Sequence, residues 1–233
     1  MSFKFRCLLA KFIVGICAIV CLSSCDSGPA DTTTTTVGSK YLNDYLIETL
    51  NDYPPNGSIT QMPAKDRDKS LGLTRTIDYA GSPALKSKTP SQSYCSAIVF
   101  EVYARTMAGK ASDKELYLGF DRPTFFQFRK EFYGVDGNSK TLVHALTSHG
   151  LAEEVKDVRD AMPGDLVQFW RNNGTGHSVV FMGGKMDQGG NVVSIKYWSI
   201  QQSGLGMHEE LVGSEKRQID RARIYVARAF APK

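Results

Sequence analysis

Three residues in this chain have types and positions suited to covalent chemistry. Cys95 follows Ser91-Gln92-Ser93, whose side chains can cap a helix, and lies near the start of the apolar stretch from Tyr94 to Met107. At the first turn of a helix, unpaired amides and the positive end of the dipole converge, which would favour a thiolate and offer donors to an oxyanion. The competing account is a small apolar residue buried for packing. His177 heads the strand-like run His177 to Met182, just after Gly174-Thr175-Gly176. A sheet would hold a general base rigidly there yet leave it open to substrate, although loop carbonyls could equally satisfy a structural histidine. Further on, Val193, Ile195, Tyr197, Ser199 and Gln201 alternate with Ser194, Lys196, Trp198, Ile200 and Gln202. The first set reads as the core face, which places Gln201 on the helix side with Cys95. Its carboxamide could then fix the tautomer of His177 as the third member of a triad. A bulge at the strand end would exchange Gln201 for Gln202.

These residues need a scaffold, and the chain changes character midway. Ser39 can cap a first helix presenting Tyr41, Leu42, Tyr45, Leu46, Thr49 and Leu50 on one face and stopped by Pro54-Pro55. Residues 56–90 lack clear periodicity apart from a short strand around Leu73 to Tyr79. The Cys95 segment is apolar nearly all round, so it belongs at the centre of a domain. Ser112 with Glu115 forms a capping box for another helix, one more begins near Pro123, and a last one runs from Ser139 to Gly150. Beyond Gly150, strands are predicted at Leu166 to Arg171, His177 to Met182, Val192 to Ile200 and Ile224 to Phe230. Helices followed by sequential strands predict an α+β domain, with a central buried helix carrying Cys95 packed on an antiparallel sheet.

Met1 to Ser24 carries Lys4, Arg6 and Lys11 before an apolar run, the anatomy of a secretory leader rather than a permanent span. The ending Leu22-Ser23-Ser24-Cys25 resembles a bacterial lipobox, which makes Cys25 the expected lipidation site. Residues 25–38, with five consecutive threonines, read as a flexible tether, and residues 39–233 as one domain. The expected location is the cell envelope, with the protein lipid-anchored to a membrane on its periplasmic or extracellular face. The full chain carries a net charge of +4. Loss of the leader brings this to about +1, so a nucleic-acid partner is not expected. Of the 5 cysteines, Cys7, Cys17 and Cys21 leave with the leader and Cys25 takes lipid, so Cys95 is left as the one free thiol.

Cys95-Ser96 opening an apolar helix, then Pro163-Gly164-Asp165-Leu166, then Gly176-His177-Ser178-Val179-Val180, in that order, resembles the NlpC-type and CHAP-type papain-like amidases and endopeptidases of bacterial cell walls. The resemblance spans roughly residues 90–202. It implies a papain-like fold, Cys95 as nucleophile, His177 as base, and a third polar residue from the next strand, which maps onto Gln201. Three features depart from the commonest NlpC form: Ala97 stands where a glycine is usual, the third residue is a carboxamide, and the insert between Cys95 and the sheet is long. A peptidoglycan peptide or another amide is the implied substrate, with the membrane reached through the anchor. A catalytically silent wall-binding or interaction lipoprotein of the same fold, and an acyltransferase, are the alternatives. No cofactor is expected. Nor is a metal: His144 and His149 fit a helix and its end, and His208-Glu209-Glu210 reads as a solvated loop. Arg217, Arg221, Arg223 and Arg228 read as the exposed side of the last strand and its lead-in.

Overall fold

The computed structural model describes residues 39–54, 57–111, 115–134 and 140–232. The segment read as leader, Cys25 and tether lies outside these residues, as do Pro55, Ser112 and Ser139. The described part contains α1 (Asn43–Leu50), β1 (Thr60–Gln61), β2 (Ile77–Tyr79), β3 (Ser82–Leu85), β4 (Gln92–Ser93), α2 (Cys95–Lys110), α3 (Arg122–Tyr133) and α4 (Thr141–Ser148). It continues through β5 (Ala152–Val155), β6 (Leu166–Arg171), β7 (Gly176–Met186), β8 (Val192–Gln201), β9 (Gly204–Leu211) and β10 (Ile219–Ala229). The fold is mixed α+β. Six strands form an antiparallel sheet in the order β5-β10-β6-β7-β8-β9.

Helix α2 is central because its sequence leaves it no solvent face: every residue from Ser96 to Ala104 is buried. It packs against α1, α3, β7 and β8. Glu101 is the one charge in that run, and its carboxylate is fully enclosed. It accepts hydrogen bonds from Tyr53 Oη (3.0 Å), Thr74 N and Oγ1 (both 2.6 Å) and Arg75 N (3.2 Å). One side chain thereby ties the loop before β2 to the middle of the helix.

Two helical expectations need correction at their starts. The capping box at Ser112 and Glu115 does not open a helix over Glu115–Leu118, which is irregular. Leu116 and Leu118 are buried while Tyr117 is exposed, and Ala80 N donates to Leu116 O, so this segment lies extended beside the β2–β3 hairpin. Helix α3 begins later, where Asp121 accepts from Thr124 N (2.9 Å) and Pro123 fits the first turn. At α1, Ser39 accepts from Tyr41 N, but the residue before the helix is Leu42, which caps nothing with its side chain.

Both faces of the sheet are buried. Leu166, Val180, Trp198, Ile200 and Ala227 face the helices. Val167, Phe169, Val179, Phe181, Ile195, Tyr197 and Val226 form a second, smaller core on the other face, together with Val212 and Ile219. A bridge between Val212 and Ile219 joins the end of β9 to the start of β10, and Gly213 N donates to Ile219 O. Strands β10, β6, β7, β8 and β9 therefore wrap around the smaller core.

The Pro163-Gly164-Asp165 turn sets the start of β6. Gly164 has φ +90°, and a Cβ there would stand 2.5 Å from Asn43 O. Asp165 is fully buried and binds Asn43 Nδ2, Met162 N and the Arg228 guanidinium. Arg228 was expected on an exposed face; its pairing with this carboxylate draws it in.

Candidate active site

The structure brings Cys95, His177 and Gln201 to the same end of the sheet. His177 is near the start of β7, Arg171 ends the neighbouring β6, and Gln201 ends β8. Cys95 reaches that end through β4, which pairs in parallel with β1, while the chain just before β1 bonds to Leu205 at the start of β9. The thiol is partly exposed. Tyr94 precedes α2 in extended conformation and provides no side-chain cap. Ser93 Oγ, a candidate cap, instead donates to Gly72 O (2.6 Å). The first-turn amides of α2 are therefore left without a side-chain acceptor from the preceding residues, and the adjacent Ser96 Oγ is buried without a hydrogen-bond partner.

His177 is held by packing. Its ring lies 5.6 Å from the rings of both Phe169 and Tyr197, on the face that carries the smaller core. Gly176 before it is dictated by a close approach: a Cβ would meet the Trp170 ring at 2.6 Å. Nε2 of His177 is enclosed and makes no hydrogen bond, and the residue as a whole is buried. Burial, then the charges of Arg171, His208 and Arg67, hold its pKa well below the ordinary 6.5. The imidazole is thus neutral at pH 7. No hydrogen bond joins it to Cys95 or to Gln201 among the described residues.

The neutral buried imidazole has a thermodynamic signature. Its folded pKa lies below its unfolded one, so the stability it contributes is full above about pH 6.5 and is lost as pH falls toward the folded value. Denaturant unfolding of the wild type should lose up to about 1.4 kcal/mol per pH unit just below pH 6.5. His177→Gln should flatten that slope; an unchanged slope would place the titration elsewhere.

Gln201 is not on the helix side. It shares the face of Tyr197, as the alternation required, but that face belongs to the smaller core, and Trp198 and Ile200 face the helices. Its Nε2 donates to Tyr197 Oη (2.6 Å) and Glu210 Oε1 (2.8 Å). Glu210 also accepts from the Tyr197 hydroxyl and takes Arg171 through Nε and a terminal nitrogen, both at 2.6 Å. Gln202 is exposed. Burial acts to lower the Arg171 pKa, but the hydrogen bonds and charge of Glu210 outweigh it, so the net shift is upward. The Arg171 charge in turn helps to depress the pKa of His177.

No family model and no curated protein matches the chain. Arg171, Tyr197 and Glu210 were missing from the sequence reading of the site. The available signal was alternation in β9, where His208 and Glu210 share the inward side; the segment is a strand and not the solvated loop expected of His208-Glu209-Glu210. His208 approaches Ser199 O through Nε2 (3.2 Å) and the Tyr197 ring at 5.7 Å. Beside this network opens a cavity of about 480 Å³, lined among others by Arg171, Tyr197, Gln201, His208, Glu210 and Arg217. His149, placed at a helix end by the sequence, follows α4 and bonds Glu131 (3.1 Å) away from the site. Among the described residues no group of three or more His, Cys, Asp or Glu could hold a metal ion.

Proposed function

We propose that the chain is a cell-envelope cysteine hydrolase of papain-like type that cleaves amide bonds, with peptidoglycan stem peptides as the substrate class and Cys25 as its lipid anchor. The observation that carries the reading is a partly exposed Cys95 at the uncapped start of a buried helix, at the same sheet end as a neutral histidine. In the proposed reaction the Cys95 sulfur bonds to the amide carbon while the thiol proton passes to the imidazole of His177. The amides of the first helical turn receive the oxyanion. His177 then gives its proton to the leaving amine as the C–N bond breaks. Water, deprotonated by His177, attacks the thioester and releases the acid and the thiol. Gln201 serves this site through Tyr197, whose ring packs on the imidazole.

A catalytically silent binding lipoprotein is the second reading. The lack of a hydrogen bond between Cys95 and His177 favours it. Digestion of purified peptidoglycan by the full-length chain, followed by mass analysis of the soluble products, separates the two. New amine and carboxyl ends that disappear with Cys95→Ser are the expected result. Binding to the wall without new ends, in wild type and variant alike, would sink the hydrolase reading.

A further inference from the structure

We infer that the apolar cleft at the far end of α2 from Cys95 is a membrane-docking surface, one that takes up phospholipid acyl chains and holds the Cys95 end of the domain away from the bilayer. This rests on the reading of Cys25 as a lipid anchor and adds a second, non-covalent contact to it. The cleft has a volume of about 840 Å³ and is lined mainly by apolar side chains, among them Met107, Leu118, Leu151 and Phe230. Met107 and Leu118 belong to the main core, so the cleft opens directly onto it. One wall is fixed by the backbone: Tyr41 bridges Phe230, and Ala231 N donates to Lys40 O (3.0 Å). None of these residues serves the chemistry proposed at Cys95 and His177.

The lining favours hydrocarbon over an ionic ligand. Its formal charges, Lys40 and Glu115, are opposite, and His149 is bonded to Glu131 (3.1 Å), so no surplus charge is left for a charged occupant. The mouth has the chemistry of a membrane interface. Tyr117, 60% exposed, offers an apolar ring with a polar tip, and the exposed Lys40 ammonium stands 5.3 Å from the centroid of the Phe230 ring. The chain enters the domain at Ser39, which also lines the cleft, and residues 25–38 span at most about 50 Å even when fully extended. A domain tied to the bilayer through that end meets the lipid surface with the cleft first. Met107 stands in the last turn of α2 and Cys95 in its first, and the 16 residues of the helix put about 24 Å between its ends. Docking at the cleft therefore turns the thiol toward material beyond the membrane.

The test places the protein, purified from membranes, in vesicles of phosphatidylethanolamine and phosphatidylglycerol that contain a small fraction of phosphatidylcholine with a diazirine on its acyl chain. On illumination the diazirine loses nitrogen, its carbene inserts into a nearby C–H bond, and mass analysis of peptides locates the adducts. Labelling is expected on peptides holding Met107, Leu118, Leu151 or Phe230 and not on the one holding Cys95. Tyr117→Asp is expected to lower labelling of the cleft roughly 10-fold, because an ionised carboxylate at the mouth opposes entry into hydrocarbon, whereas Tyr117→Phe should retain it. Since Tyr117 is exposed, both variants should unfold at the wild-type midpoint, which separates lost docking from lost folding. Labels absent from the cleft, scattered evenly over the surface, or as abundant in Tyr117→Asp as in wild type overturn the docking surface. A dimer seen by sedimentation without vesicles, with the cleft unlabelled in their presence, would assign the cleft to a second copy of the chain. The mass of the peptide holding Cys25 decides the anchor separately. An unmodified Cys25 with a labelled cleft removes the anchor and keeps the surface; an unmodified Cys25 with no labelling removes both.

Discussion

His177→Ala is expected to lower kcat on released wall peptides by roughly four orders of magnitude with little change in KM, because it removes the group that moves the proton without removing binding contacts. The neighbouring network should grade below it. Gln201 touches Tyr197 and Glu210, so Gln201→Ala should reduce kcat by about tenfold or less through a looser Tyr197 ring, and the exposed Gln202→Ala should do nothing measurable. Tyr197→Phe keeps the ring against His177 and should resemble Gln201→Ala. Steady-state kinetics of the four variants at one pH make the comparison. A loss at Gln201 as deep as at His177 would mean that the carboxamide turns to bond the imidazole during turnover. A loss at His177 no deeper than at Gln201 would remove it as the base.

The largest effect on stability is expected at Glu101. Its carboxylate is wholly enclosed and accepts four hydrogen bonds, so Glu101→Ala strands the Tyr53 hydroxyl, the Thr74 hydroxyl and two backbone amides in the core. Unpaired buried donors and the lost contact with an ion together cost about 4 kcal/mol, a large share of the stability of an ordinary domain. Glu101→Gln keeps one acceptor oxygen and should cost less. Urea unfolding followed by tryptophan fluorescence measures both, since Trp198 packs on Tyr53 at 5.3 Å. Equal midpoints for wild type and Glu101→Ala would show that the loop over Thr74 and Arg75 is held by other means.

The elements that were legible in the sequence are those with a burial pattern of one kind. Helix α2 announced itself because its residues are apolar without a gap, and β6 agrees residue for residue with the run Leu166 to Arg171. Helix α4 follows the expected burial of Leu142, Val143 and Leu146. Strand β9 was hidden because only Leu205 turns to the large core, while the inward His208 and Glu210 are polar and read as solvent-facing. Strand β5 is short, with three of its four residues only partly buried.

The site divides along the same line. Cys95 and His177 stood out by type and by position at the head of an element, and the structure places both at one end of the sheet. The face of Gln201 was misassigned for a specific reason. Parity correctly grouped it with Ile195 and Tyr197, but a strand buried on both sides has two core faces, and apolar content alone does not say which one the helices cover. The pair of Arg171 with Glu210 is separated by 39 residues and depends on a register that no local pattern specifies.

The bridge from Val212 to Ile219 also bears on what this sheet can recruit. Strand β9 is the last in the order, and such a strand ordinarily offers a row of free amides and carbonyls to a foreign chain. Here Leu205 exchanges hydrogen bonds with Gly57 and Ile59 at one end, and Val212 is tied to the start of β10 at the other. The accessible template between those ties is only a few residues long and carries His208, Glu209 and Glu210. Copies crowded together would therefore find little backbone through which to zip into a continuous sheet, and the fold carries its own guard against fibril growth from this side.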